Sequence, residues 1–159
     1  MYILISYYSR TGTTRKAAMD IKEVLNKKDV EVKTEEIIDK KNRDGKTGYV
    51  IAGKDALMKK NTEIKDISYH PENFDMLIVG TPVWAGKVTP AIRTYLENYK
   101  DEISRTAFFC THGGGGESKT FKDMQEIAGE PKEVLSLRDR DVEERKHLED
   151  ISNFLERIL

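Results

Sequence analysis

Four hydroxyl side chains and one glycine are concentrated in six consecutive residues, Ser9-Arg10-Thr11-Gly12-Thr13-Thr14. The stretch follows an apolar run at 3–7 and precedes apolar residues at helical spacing, which predicts a strand-to-helix turn. A helix N-terminus presents unpaired backbone N–H groups and the positive end of the helix dipole, and both favour a phosphate. Helix capping alone needs only one Ser or Thr. We therefore interpret the turn as a phosphate-binding loop, in which Arg10 either contacts the phosphate or remains solvated.

The only tryptophan, Trp84, lies in a second unusual segment, Pro82-Val83-Trp84-Ala85-Gly86, directly after the apolar run 76–80. A proline and a glycine on its two sides favour a ring that faces a flat aromatic ligand over a ring buried in the core. Residues 80–87 resemble a nucleotide P-loop, but the second glycine comes one residue late and Val88 replaces the metal-binding hydroxyl. The first turn lacks the glycine pattern of a dinucleotide site. The predicted ligand is a mononucleotide with a terminal phosphate.

A third candidate loop begins with Thr111 and His112 and continues through four glycines, Gly113-Gly114-Gly115-Gly116. Glycines let backbone amides approach a ligand closely, and the alternative is a flexible connection. His112 either hydrogen-bonds the ligand or faces water. We predict that Cys110, at the end of a strand, is a packed thiol and that Tyr7 and Tyr8 belong to the core and the rim of the site.

Strands alternating with helices must position these loops. Apolar or alternating runs predict strands at 3–7, 30–34, 76–80, 106–110 and 134–137, and helical spacing predicts helices at 13–28, 90–99, 119–128 and 142–159. Between residues 39 and 69 only 54–60 looks helical. The pattern predicts one α/β domain over 1–159, with a three-layer, doubly wound, five-stranded parallel sheet whose first strand lies beside the second and third. Ligands bind at the carboxyl edge of such a sheet, where the three loops would meet.

Composition excludes several other classes of protein. The chain has 159 residues, 38% of them hydrophobic, and 27 Lys and Arg residues against 28 Asp and Glu residues. A net charge of -1 gives no electrostatic reason to expect nucleic acid or membrane binding. One cysteine excludes an internal disulfide and a Cys-rich metal site. The apolar start is short and has no basic residues before it, so no signal peptide is predicted and we expect a cytoplasmic protein.

The three loops together resemble those of the flavodoxin-like FMN proteins, and the resemblance covers essentially the whole chain. The chain is most similar to a branch of short single-domain flavodoxins with Pro-Val-Trp-Ala-Gly in the second loop. The resemblance implies that Ser9 to Thr14 hold the FMN phosphate and that Pro82 to Gly86 lie along the isoalloxazine and ribityl chain. It also implies that Thr111, His112, Gly113 and Gly114 line the pyrimidine edge, and that a peptide near Gly86 can turn its carbonyl toward the reduced flavin.

The resemblance implies an electron-transfer protein with non-covalent FMN and no catalytic side chains or metal of its own. Its partner would be a redox protein or a small electron donor or acceptor. The alternative is an NAD(P)H-dependent quinone or flavin reductase, because a third loop without aromatic residues leaves one flavin face open. No nicotinamide-binding motif is recognisable. A phosphorylation-controlled signalling domain is set aside, since Tyr8-Ser9 and Gly80-Thr81 stand where its acidic residues would be.

Overall fold

A computed structural model describes all residues from 1 to 159. The five strands are β1 (Tyr2–Tyr7), β2 (Glu31–Glu36), β3 (Met76–Pro82), β4 (Thr106–His112) and β5 (Val134–Arg138). The six helices are α1 (Thr13–Asn26), α2 (Gly45–Leu57), α3 (Pro90–Tyr99), α4 (Glu117–Ala128), α5 (Asp139–Glu143) and α6 (Leu148–Ile158). None of these helices combines the length and the apolar composition needed to cross a bilayer.

All strands are parallel and follow the order β2-β1-β3-β4-β5, which confirms the predicted sheet. Side chains alternate between the two faces of each strand, so β1 contributes Ile3 and Ile5 to one core and Leu4 to the other. The first core packs beneath α1 and α6, and the second beneath α3 and α4. Helices on both faces explain why the central strands are almost continuously apolar.

A close approach between two central strands fixes the end of β3. Gly80 pairs with Phe109 of β4, and a Cβ atom on Gly80 would lie 2.0 Å from the Cζ atom of the Phe109 ring. The ring therefore crosses β3 at the one position where no side chain blocks it.

The prediction for the segment between β2 and β3 was wrong. The helix α2 begins at Gly45 and ends at Leu57, so the predicted helix at 54–60 includes only its last turn. Glycines within α2 weaken its intrinsic helix propensity. Gly48 lies so close to the backbone of Arg43, just before the helix, that a Cβ atom would lie 2.2 Å from the Arg43 carbonyl oxygen, and this explains why a glycine stands there.

The two ends of this segment meet. An isolated antiparallel bridge joins Asp39 to Ile64. On its two sides, the Lys40 N–H donates to the Glu63 carbonyl and the Lys65 N–H donates to the Ile38 carbonyl, each at 2.9 Å. Residues 40–63 thus form an insertion between β2 and β3, here called the excursion, whose first and last residues lie side by side at the Asp39–Ile64 bridge.

The single C-terminal helix predicted at 142–159 is divided into α5 and α6. The chain turns at Arg145, whose φ of 57° lies in the left-handed region. This turn buries the His147 ring, which lies 2.8 Å from the Asp20 carboxylate of α1 through Nε2 and 3.2 Å from the Asp141 carbonyl through Nδ1. A buried polar ring needs such partners, and Asp20 lies too far along the chain for periodicity to indicate it.

Candidate functional site

The carboxyl ends of β1, β3 and β4 bring the three predicted loops into direct contact. The Thr14 and Thr111 hydroxyl oxygens are 2.7 Å apart, which joins the first loop to the third. The Val83 N–H donates to the Thr111 carbonyl at 2.9 Å, which joins the second loop to the end of β4. A Cβ atom on Gly116 would lie 3.0 Å from the Cα atom of Gly86, so the second and third loops touch. The three loops form one continuous surface.

The first loop ends in a helix N-terminus that has no side-chain cap. Gly12 adopts a φ of 105° and precedes α1, and no side chain hydrogen-bonds the first helical amides. The backbone N–H groups of Thr13, Thr14 and Arg15 have no acceptor within the protein. The first turn of α1 also contains no acidic residue. Unpaired N–H groups at the positive end of a helix dipole form an anion-binding site, and capping does not account for this turn.

The hydroxyl side chains of the first loop occupy different environments. Ser9 accepts a hydrogen bond of 3.1 Å from the Gly12 N–H, which holds the turn closed. Thr11 is exposed and Thr13 is half-buried beside the free amides. Thr14 is buried and is already bonded to Thr111. Thr11 and Thr13 are therefore the hydroxyl groups free to bind an anion, whereas Thr14 fixes the loop in place.

Arg10 donates hydrogen bonds to the backbone at the start of α2, and its contact with a phosphate stays a prediction. Its Nε atom donates to the Arg43 carbonyl at 2.9 Å, and a terminal nitrogen donates to the Gly45 carbonyl at 3.1 Å. Its guanidinium also lies over the Tyr49 ring, 5.5 Å from the centroid. Arg10 thus connects the first loop to the start of α2, which sequence reasoning left without structure.

The second loop contains a tight turn from Trp84 to Lys87. The Trp84 N–H donates to the Lys87 carbonyl at 3.2 Å, and the Lys87 N–H donates to the Trp84 carbonyl at 2.9 Å. The central residues Ala85 and Gly86 have φ values of 51° and 69°, as in a type I′ turn. Such a φ is uncommon for alanine, whereas glycine adopts either sign of φ readily. The rotation of a carbonyl near Gly86 toward the flavin stays a prediction. The glycine would permit such a rotation in this turn.

The Trp84 ring is half-buried and has neighbours of two kinds. Tyr8 meets it edge-on, with ring centroids 5.4 Å apart, and Arg43 lies over its face. A mainly apolar cavity of about 410 Å³ separates the second loop from α2. Tyr49, Leu57, Trp84 and Ala85 are among the residues that line it. Trp84 therefore packs against the second core and also presents apolar surface next to the loop.

Arg43 is the residue of this region that sequence reasoning missed. Its side chain is 2% exposed, and it bonds Asp39 at 2.6 Å and Asp55 at 3.0 Å. Burial lowers the pKa of the guanidinium, but hydrogen bonds to these two carboxylates outweigh it and raise the pKa. One terminal nitrogen remains buried without a hydrogen-bond partner. No local pattern indicates this cluster, because its members come together only when α2 folds against the second loop.

A buried histidine holds the third loop. The Nδ1 atom of His112 accepts a hydrogen bond of 2.9 Å from the Gly115 N–H, so in the neutral ring Nε2 carries the proton and donates to the Ser136 hydroxyl at 2.9 Å. His112 is 7% exposed. This burial contradicts the alternative in which His112 faces water, whereas a hydrogen bond from His112 to the ligand stays a prediction. The free surface of the loop consists of Gly113, Gly114 and Gly115.

A cleft of about 530 Å³ lies between the second and third loops, lined by Ala85, Gly86, Gly115, Gly116, Glu117, Ser118 and Lys119. It contains no aromatic residue. Glu117 contributes a buried carboxylate oxygen without a hydrogen-bond partner, and sequence reasoning did not single it out. One side of the site is therefore open and polar, while the side next to Trp84 is apolar.

Cys110 lies beneath the site and takes no part in its surface. The thiol is fully buried, and burial raises its pKa to about 12. This environment agrees with the predicted packed thiol. No group of three or more His, Cys, Asp and Glu side chains is arranged to hold a metal ion.

The match to known proteins covers almost the entire chain. A flavodoxin family model matches residues 2–157. The chain belongs to the flavodoxin family. Comparison with curated proteins gives no significant match.

Solved structures of a flavoprotein and of two flavodoxins share its fold. The chain is 27% identical to a flavoprotein from Lactobacillus acidophilus NCFM solved in complex with FMN, with a TM-score of 0.65 and coverage of 90% of this chain and 97% of that one. It is 18% identical to oxidised flavodoxin 1 from Bacillus cereus, with a TM-score of 0.58 and coverage of 98% of both chains. It is 16% identical to the Fusobacterium nucleatum flavodoxin bound to flavin mononucleotide, with a TM-score of 0.61 and coverage of 99% and 96%.

Proposed function

We propose that this flavodoxin-family chain binds FMN non-covalently and carries electrons between redox partners. The observation that carries the proposal is the uncapped N-terminus of α1, with its three free N–H groups. A phosphate monoester would satisfy these groups, and the exposed Thr11 and half-buried Thr13 would add hydroxyl donors. Gly12 supports this assignment, because its φ of 105° turns the backbone around the anion position.

The remaining surface suits the ring system of the same cofactor. The half-buried Trp84 and the apolar cavity beside it provide an apolar wall for a flat aromatic ring. The second and third loops, through residues 82–86 and 111–114, would hold the ring and the ribityl chain. FMN supplies one- and two-electron redox chemistry when bound, and the protein contributes binding, orientation and electrostatics. The relative solved with FMN, 27% identical, supports the choice of cofactor.

The third loop also supports a second candidate function. Its exposed glycines and the cleft beside them contain no aromatic side chain, so small molecules could reach the ring from that side. An NAD(P)H-dependent reductase would use this access. We favour the carrier because no groove or motif in the chain is recognisable as a dinucleotide site.

Titration calorimetry of the apoprotein with FMN, riboflavin and FAD tests the cofactor assignment. We expect FMN to bind most tightly, and equal affinity for riboflavin would reject the phosphate loop. Mixing the loaded protein with NADH or NADPH and a quinone then separates the two functions. The carrier predicts slow or absent oxidation of NAD(P)H, whereas rapid turnover without any added protein would establish the reductase.

A further inference from the structure

Four lysine side chains gather beside the second loop, and of these only Lys119 also lines the cleft between the second and third loops. This lysine cluster, Lys59, Lys87, Lys119 and Lys122, surrounds a small cavity of about 210 Å³ together with Asp123 and Glu126. Lys87 ends the second-loop turn, and the Lys119 side chain passes 3.6 Å from the Cβ position of Gly86. The cluster therefore borders the site at which we propose FMN.

The two carboxylates do not neutralise this cluster. Asp123 is buried and is already paired with Arg93, and it also accepts a hydrogen bond of 3.2 Å from the Val88 N–H. Lys59 lies 3.4 Å from Asp123 and 3.5 Å from Glu126. Lys87, Lys119 and Lys122 form no salt bridge at all. A chain with a net charge of -1 thus concentrates unpaired positive charge at one edge of its cofactor site.

An exposed apolar strip continues directly from the lysine cluster. Leu57 and Met58 immediately precede Lys59 and are 62% and 57% exposed. Tyr49 and Val50, earlier on α2, are 67% and 68% exposed. Large apolar side chains that are exposed together and bordered by polar groups mark protein interaction sites. Tyr49, Val50 and Leu57 also line the cavity beside Trp84, so a docked protein and the flavin ring would share this apolar surface. A small anion would use the lysines alone.

We propose that the lysine cluster and the apolar strip of α2 together dock an acidic redox protein. Charge complementarity selects the partner, because carboxylates on its surface would face three unpaired ammonium groups. The apolar strip would supply the dehydrated centre of the contact. The inference rests on the proposed function, since the docked protein would lie beside the FMN loops.

Binding can be measured without any electron transfer. Isotope-labelled protein, with and without FMN, is titrated with a plant-type ferredoxin as the acidic probe and with a basic c-type cytochrome as the opposite probe. We expect the ferredoxin to shift the amide signals of α4, the end of α2 and the second loop. We also expect its affinity to fall at least about tenfold between about 0.02 and 0.3 M salt.

A pair of charge-reversal variants identifies the surface. The double change Lys87→Glu and Lys122→Glu should lower the ferredoxin affinity by about tenfold or more. The control is Lys28→Glu with Lys100→Glu, which alters the net charge equally at two exposed lysines that follow α1 and α3. Both lie at the amino-terminal end of the strands, away from the loops, because the helices run antiparallel to the strands. We therefore expect this control to change the ferredoxin affinity by less than about twofold.

Three results would overturn the docking surface. The first is that the cytochrome binds and the ferredoxin does not, and the second is that both double variants weaken ferredoxin binding equally. The third is that pyrophosphate or NADPH shifts the same amides at physiological salt while the ferredoxin shifts none. If the ferredoxin binds as expected but FMN does not, only the proposed function fails.

Discussion

The Arg43 guanidinium lies over the indole ring of Trp84, with its Cζ atom 5.7 Å from the ring centroid. A cation over an aromatic face is attracted by the ring quadrupole. Because Arg43 is also bonded to Asp39 and Asp55, the second loop is connected through one side chain to α2. The orientation of Trp84 thus depends on a segment outside the three loops.

Replacing Arg43 should therefore affect both the fold and Trp84. We expect Arg43→Met to lower the free energy of unfolding by about 3–5 kcal/mol, since the buried Asp39 carboxylate loses its salt-bridge partner and Asp55 keeps only the more exposed Lys41 and Lys60. The fluorescence of Trp84, the only tryptophan, should change in the same variant and in the milder Arg43→Lys. Arg15→Met is the matched control, because the exposed Arg15–Glu36 pair contributes no more than about 1 kcal/mol. Equal unfolding energies for the Arg43→Met and Arg15→Met variants, with unchanged fluorescence, would contradict the assignment.

The free hydroxyls of the first loop give a second prediction. Thr11→Ala combined with Thr13→Ala should weaken FMN binding by about 1–3 kcal/mol, the range for lost hydrogen bonds to a charged group. Riboflavin binding should not change, because riboflavin has no phosphate. Thr34→Ala with Ser104→Ala, away from the loop, controls for the removal of two hydroxyls. Calorimetric titration of both double variants with both ligands measures the difference, and equal losses for FMN and riboflavin would argue against a phosphate contact.

The third prediction concerns the bond between His112 and Gly115. His112→Phe keeps an aromatic ring but removes the acceptor for the Gly115 N–H, so the glycine loop should open more often. We expect hydrogen exchange of the Gly115 amide to accelerate by about tenfold or more, which corresponds to the loss of one hydrogen bond. The Gly129 amide, bonded to the Gln125 carbonyl at 2.9 Å, is an internal control in the same spectrum. Unchanged exchange at Gly115 would mean that another contact orders the loop.

The buried thiol predicts a pH dependence of stability. An exposed thiol in the unfolded chain ionises near pH 9, whereas burial raises the pKa of Cys110 to about 12 in the folded protein. Above pH 9 the folded state holds a proton that the unfolded state has lost, so the free energy of unfolding falls as pH rises through this window. The slope approaches about 1.4 kcal/mol per pH unit.

Urea unfolding at several pH values from about 8 to 10 tests this prediction. The upper limit matters because burial also raises the pKa of Tyr8 to about 12. Above about pH 10 the tyrosine of the unfolded chain ionises, so Tyr8 would also make the free energy of unfolding fall with rising pH. Cys110→Ala should flatten the dependence below that limit. An identical slope in the variant would show that the thiol is not its source.

Sequence reasoning predicted those parts of the molecule whose causes are local. The apolar run of β1, the glycine at position 12 and the helical spacing of α1 lie within one short stretch, and they determine the first loop. The segment around Arg43 could not be predicted, because its helix depends on contacts with Asp39, Asp55 and Trp84 and not on its own glycine-containing sequence. The hydrogen bond between His112 and Ser136 could not be predicted for the same reason, since Ser136 belongs to another strand.

The bridge between Asp39 and Ile64 closes the excursion of residues 40–63 at its base. A segment whose two ends meet can be lengthened, shortened or exchanged without moving the strands from which it departs, because closing it costs the fold little. β2 and β3 would keep their register, and the first loop would keep its helix. Variation within residues 40–63 would therefore change the surroundings of Trp84, to which Arg43 and α2 contribute, and would spare the framework of the fold.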